Sequence, residues 1–136
     1  VFLLFDRGKT LIRALSLRSK IMKVIIAGGR DFTDYERLSC FCDKVLVNQK
    51  DIEIVSGTAK GADLLGERYA NQKNYPVKRF PADWNKYGKS AGFHRNSQMA
   101  QYADALIAFW DQRSRGTKMM IELAKKQGLK VKIVKY

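Results

Sequence analysis

The sequence predicts an α/β fold of Rossmann-like build, a three-layer sandwich around a five-stranded parallel sheet of order 3-2-1-4-5. Three observations carry this prediction. Short apolar runs alternate with helical patterns from Lys23 to the C-terminus. The first two runs end in glycine or serine-glycine, as a buried strand feeding a tight turn does. Strands separated by helices imply right-handed crossovers, whose common doubly wound solution has this order. A chain of 136 residues needs only one domain.

The first strand is Val24 to Ala27, continuous and apolar up to Gly28-Gly29. Asp34 then caps a helix in which Leu38, Phe41, Cys42, Val45 and Leu46 recur at three- and four-residue spacing, ending near Asn48. Ile52 to Val55 is the second strand, and the pattern predicts a helix over Ala59 to Gln72 with Leu65 and Tyr69 on one face. After Pro76, Val77 to Phe80 makes a short third strand. A polar and aromatic loop from Pro81 to Ser90 leads to a helix from about Gly92 to Tyr102. Ala105 to Phe109 is the fourth strand, and the helix carrying Met120, Leu123 and Ala124 stops at Gly128. Lys130 to Val134 alternates charged and apolar residues, which suits an edge strand.

The net charge is +13, a field that attracts phosphates, nucleic acid or anionic surfaces as a matter of general electrostatics. Part of it lies in residues 1–21, where Arg7, Lys9, Arg13, Arg18 and Lys20 face only Asp6. This segment is expected to be a basic N-terminal extension outside the native domain, with Met22 as the natural start and residues 22–136 as the domain. The run Val1 to Phe5 is too short for a membrane span, so no membrane partner is expected. Cys40 and Cys42 stand two apart in a helix and read as reduced packing residues, which favours a cytoplasmic setting. With His94 the only histidine, neither a bound metal nor a cofactor is expected.

In the predicted strand order the first and fourth strands are neighbours, and ligands bind beyond the carboxyl ends of strands at such a switch point. Three loops open there: Gly28-Gly29-Arg30-Asp31, Ser56-Gly57-Thr58-Ala59-Lys60-Gly61-Ala62-Asp63, and Ser114-Arg115-Gly116-Thr117 behind Trp110. The last two enter helices, whose first-turn amides and dipole attract phosphate. Arg30, Lys60, Arg95 and Arg115 are candidate phosphate cations. Trp84, Tyr87 and above all Trp110 are candidates to stack on a base. Neither a Walker A loop nor a G-x-G-x-x-G fingerprint is present, so an ATPase or a dehydrogenase has no support.

The ordered set Gly28-Gly29-Arg30-Asp31, Ser56-Gly57 to Gly61-Ala62-Asp63, Asp83-Trp84, Arg95-Asn96 and Ser114-Arg115-Gly116-Thr117 resembles the YspA-type, cpYpsA-related branch of the SLOG superfamily. The resemblance covers most of residues 22–136. It implies a Rossmann-like domain that senses or processes a nucleotide-related ligand, with these residues and Ala59 around it. Lonely Guy-type phosphoribohydrolases of the same superfamily are similar in the loop after the fourth strand, where they carry a glutamate three residues beyond the threonine. Here that position is Met120, and Glu122 follows two residues later on another face of the helix.

The leading expectation is therefore binding or sensing of a nucleotide-derived small molecule at the C-terminal edge of the sheet. A phosphoribohydrolase-type enzyme using Asp31, Asp63, Asp83 or Glu122 as acid or base is the second reading. Nucleic-acid binding, by fold-level similarity to DNA-processing protein A, is the third. Whether the ligand is hydrolysed, and whether the chain forms a homo-oligomer, stays open at this point.

Overall fold

A computed structural model describes residues 21–136, so the expected basic extension lies outside the described residues except for Ile21. The elements are β1 (Met22–Gly28), α1 (Tyr35–Val45), β2 (Ile52–Ser56), α2 (Ala62–Lys73), β3 (Val77–Arg79), α3 (Trp84–Tyr87), a 3-10 turn (Gly88–Ser90), α4 (Ala91–Tyr102), β4 (Ala105–Trp110), α5 (Arg115–Lys126) and β5 (Lys130–Lys135). The sheet has the order β3-β2-β1-β4-β5, as predicted. Every strand pair is parallel; Val24 faces Ala105 and Gly28 faces Phe109 across the central pair.

The period of two along β1 builds the three layers. Val24 and Ile26 point to one face and pack with Leu38 and Cys42 of α1 and Tyr69 and Ala70 of α2. Ile25 and Ala27 point to the other, against Met99 and Ala100 of α4 and Met120 and Ala124 of α5. Each fully buried aliphatic side chain contributes roughly 1.5 to 3 kcal/mol relative to exposure, so the sheet cannot slip its register by one residue without losing both cores. On β5 the outward Lys130, Lys132 and Lys135 are exposed and blunt the sheet edge.

Some boundaries depart from the sequence pattern, each for a local reason. α2 begins at Ala62 rather than Ala59, because Gly61 takes a positive φ of 81°, which no right-handed helix can include. The loop after β3 contains the short helix α3, capped by Asp83, whose carboxylate accepts from the Lys86 amide at 3.0 Å. α1 is capped by Asp34 as expected, its side chain accepting from the Arg37 amide at 3.0 Å. Of the two cysteines, Cys42 is buried and its thiol pKa is pushed by that burial up to about 12, whereas Cys40, expected to pack as well, is exposed. No helix among the described residues is long and apolar enough to cross a membrane.

Candidate functional site

Beyond the carboxyl ends of β1 and β4 lies a crevice of about 100 Å³. Its floor is Ala27, Gly28, Met99 and Met120, and its polar lining comes from Arg30, Ala59, Asp63, Arg95, Asn96, Ser114, Gly116 and Thr117. Residues from all three loops expected to meet here do meet. Arg95 and Asn96 join them from α4, which packs beside α5. Two non-glycine residues with positive φ, Thr58 and Gln112 at 68°, sit in the loops after β2 and β4, where backbone strain commonly accompanies a site.

Arg95 is held from several directions. One guanidinium nitrogen donates to the Gly57 carbonyl, and Nε donates to Asn96 Oδ1 at 2.8 Å. Asn96 is buried, and its amide nitrogen reaches the Gly116 carbonyl at 3.5 Å, tying α4 to the first turn of α5. Asp63 is 5% exposed and accepts from the Ala59 amide at 3.3 Å. Burial raises its pKa to about 6, against the opposing pull of the Ala59 amide and Arg95. Burial likewise holds the Arg95 pKa below the ordinary arginine value, with Asp63 opposing it and Arg30 adding to it. The pair is a cation and a largely buried titratable acid held side by side at the crevice.

At the α5 N-terminus Ser114 is the cap. Its hydroxyl accepts from the Thr117 amide at 3.3 Å and meets the Thr117 hydroxyl at 3.0 Å. The Arg115 and Gly116 amides of the same turn have no intrahelical acceptor to reach. A Cβ added at Gly116 would meet nothing within 4 Å, so this glycine fronts open space. The arrangement can hold an anion between the helix end and Arg95.

The remaining motif residues have structural work. Gly61 lies against its neighbours, because a Cβ there would stand 2.2 Å from the Gly29 carbonyl oxygen. At Gly29 a Cβ would come within 2.0 Å of the Tyr136 hydroxyl, and at Gly57 within 2.6 Å of Asp63. Asp31 accepts from the Tyr136 hydroxyl at 2.7 Å. Ser56 is buried, donating to Glu67 at 2.7 Å and accepting from the Thr58 amide at 3.0 Å. Asp83 caps α3, and Trp84 is exposed beside it. Trp110 is half-buried, its indole donating to the Ser114 carbonyl at 3.1 Å. Lys60 and Arg115 are exposed and do not line the crevice.

Three features had no expectation from the sequence. Met99 lines the floor, Glu67 bridges Ser56 and Arg79, and Tyr87 stacks on His94 with ring centroids 4.0 Å apart. The methionine carries no signal beyond its apolar spacing, and the other two are side-chain contacts between successive elements that no pattern within one element records.

The model of the YspA, cpYpsA-related SLOG family matches residues 22–87. Gene 61 protein of Mycobacterium phage D29 is 33% identical over 116 residues, covering 80% of this chain and 93% of that protein. Two solved structures share the fold. DNA processing protein A of Streptococcus pneumoniae aligns over 88% of this chain with a TM-score of 0.65 at 19% identity. This chain spans 52% of it, about half its length. DNA processing protein A of Helicobacter pylori, whose structure addresses its single-stranded DNA binding mode, aligns over 87% of this chain and 67% of its own with a TM-score of 0.60 at 20% identity. The family match through β1, β2 and the Asp83-Trp84 segment, with a relative aligned over most of both chains, makes this chain a member of the YspA, cpYpsA-related SLOG family.

Proposed function

We propose that the crevice binds the phosphate end of a nucleotide or nucleotide-derived ligand, and that the protein binds or senses this ligand rather than breaking it down. The observation that carries the reading is the convergence of the α5 first turn and Arg95 on one small cavity, with Gly116 facing open space between them. In this reading Asp63, which shares the crevice lining with Arg95, accepts a hydroxyl of the sugar when ionised. Gly28, Arg30, Ala59, Asn96, Ser114 and Thr117 complete the proposed site. Gly29, Asp31, Ser56, Gly57 and Gly61 hold its loops in place, and Lys60 and Arg115 add charge at its rim.

Binding without hydrolysis is supported by the floor. Met120 lines the crevice and has neither charge nor proton to offer, while Glu122 is exposed and lies outside the lining. The free cysteines fit a reducing compartment such as the cytoplasm.

The test is mass spectrometry of small molecules released from the purified protein, with a nucleotide panel screened by thermal shift. A ligand at 100 times its Kd adds about 2.7 kcal/mol to stability. If no nucleotide raises the melting temperature, the reading fails.

A second reading is binding of nucleic acid, favoured by the net charge of +13 and by the single-stranded DNA binding of the Helicobacter pylori neighbour. Oligonucleotide affinity that falls steeply with added salt marks this mode, since released counterions drive it.

A further inference from the structure

We propose that the crevice is one end of a longer groove, and that the groove holds a single-stranded oligonucleotide with one phosphate in the crevice. The inference rests on the reading of the crevice as a phosphate site and extends it to a partner and a surface.

A crevice of about 100 Å³ is smaller than the roughly 300 Å³ and more of typical ligand pockets, so most of a nucleotide must lie outside it. The way out passes Arg95. The same residue lines a second cavity of about 240 Å³, with Lys86, Tyr87, His94 and Gln98. That cavity in turn shares Pro81 and Gln98 with a third, of about 530 Å³, where Lys78, Arg79, Phe80 and Tyr102 meet at the β3 edge of the sheet. The α4 contributions, His94, Arg95, Gln98, Gln101 and Tyr102, recur at helical spacing, so one face of α4 floors both outer cavities.

Each outer cavity pairs cations with aromatic rings. Tyr87 and His94 are stacked in the second, and the Lys86 ammonium lies 5.0 Å from the Tyr87 ring centre. In the third, Phe80 and Tyr102 meet edge to face at 5.3 Å, with the Lys78 ammonium 5.6 Å from the Phe80 ring. Three carboxylates stand near the groove: Asp83 caps α3 and lines the second cavity, Glu67 pairs with Arg79 at 2.9 Å, and Glu53 accepts from the Tyr102 hydroxyl. Set against them are the exposed Lys78 and Lys86, together with Arg95. Alternating positive charge and π surface along a track is the chemistry of single-strand binding, where phosphates follow the cations and bases stack on the rings. An acidic peptide would match the charge and make no use of the rings.

The test uses the full chain with thymidine 5′-monophosphate and 5′-phosphorylated oligothymidylates of two, four and eight nucleotides. Affinity is expected to rise at least tenfold from the monomer to the tetramer and then to level off. Lys78→Glu and Lys86→Glu, both at exposed positions, should weaken the tetramer at least fivefold and leave the mononucleotide within twofold. Gly116→Ala should weaken both ligands. Mononucleotide binding without any gain from length overturns the groove and leaves the crevice reading intact. Length-dependent binding that neither lysine variant weakens overturns it as well, and so does equal competition by an oligoglutamate peptide. Tetramer binding that needs both lysines, with no mononucleotide binding, supports the groove and removes the free nucleotide as the ligand. If neither ligand binds, both readings fall.

Discussion

Two glycines in the crevice loops stand in opposite surroundings. Gly61 takes a φ of 81° and stands where a Cβ would be 2.2 Å from a backbone carbonyl, whereas Gly116 is helical with open space in front of it. Gly61→Ala is therefore expected to lose stability first, by at least the 1 to 2 kcal/mol or so of a forced left-handed residue. Gly116→Ala should melt within a few degrees of the parent and bind nucleotide at least tenfold more weakly, because its methyl group occupies phosphate space. Thermal unfolding and ligand titration on both variants decide between these roles. Equal loss of melting temperature in the two would refute the distinction.

Asp63 makes a prediction in pH. Its folded-state pKa, near 6, stands above the ordinary value of 3.8, so the folded protein holds the proton more tightly than the unfolded chain. Stability from this group is then greatest below about pH 4, is lost as pH rises to about 6, and changes little above that. A shift of this size corresponds to about 3 kcal/mol. In Asp63→Asn the slope should vanish, so the stability of the variant relative to the parent should climb between pH 4 and 6.5 in urea titrations. Parallel pH profiles for the two proteins would show that Asp63 is not the titrating group.

At the scale of elements, α5 presents its N-terminus to the crevice because Ser114 caps it and Asn96 of α4 reaches the Gly116 carbonyl. Ser114→Ala removes the cap and should cost about 1 kcal/mol, read as a lower urea midpoint. The cations divide by their surroundings. Arg95 is enclosed, while Lys60 and Arg115 are solvated and screened. Arg95→Ala is expected to reduce nucleotide affinity at least tenfold, and Lys60→Ala or Arg115→Ala about threefold each. A larger loss from either rim variant than from Arg95→Ala would place the phosphate outside the crevice.

Across the whole molecule, the last residue locks the first loop. Tyr136 donates to Asp31, its ring packs on Phe32 at 4.8 Å, and Phe32 stacks on Phe109 at 4.9 Å. The backbone amide of Tyr136 also donates to the Trp110 carbonyl, so the ends of β4 and β5 and the loop after β1 meet at one clasp. Gly29 is small because the Tyr136 hydroxyl occupies the place of its Cβ. Gly29→Ala should therefore destabilise the parent strongly and cost much less in a Tyr136→Ala background. A double-mutant cycle measured by urea unfolding should give a coupling of about 1 kcal/mol or more. Additive losses would mean that Gly29 answers to another neighbour.

The sequence by itself determined the sheet order, the element sequence and the loops that meet at the switch point, because period-two and helical patterning is local and topology follows from short right-handed connections. It also pointed to Arg95-Asn96 and to the α5 entry, which the fold does bring together. What it left undecided was which glycine has a neighbouring chain segment against it and which fronts open space. Gly28-Gly29 reads as a phosphate loop in one dimension, yet a Cβ at Gly28 would stand 2.2 Å from the Phe109 carbonyl, and Gly29 lies against Tyr136. Trp110 and Asp83 read as ligand contacts in one dimension, and the fold engages one as a strand-end hydrogen-bond donor and the other as a helix cap. The tertiary structure alone decided these contacts, since a residue's available space is set by atoms far from it in sequence and leaves no trace in local pattern.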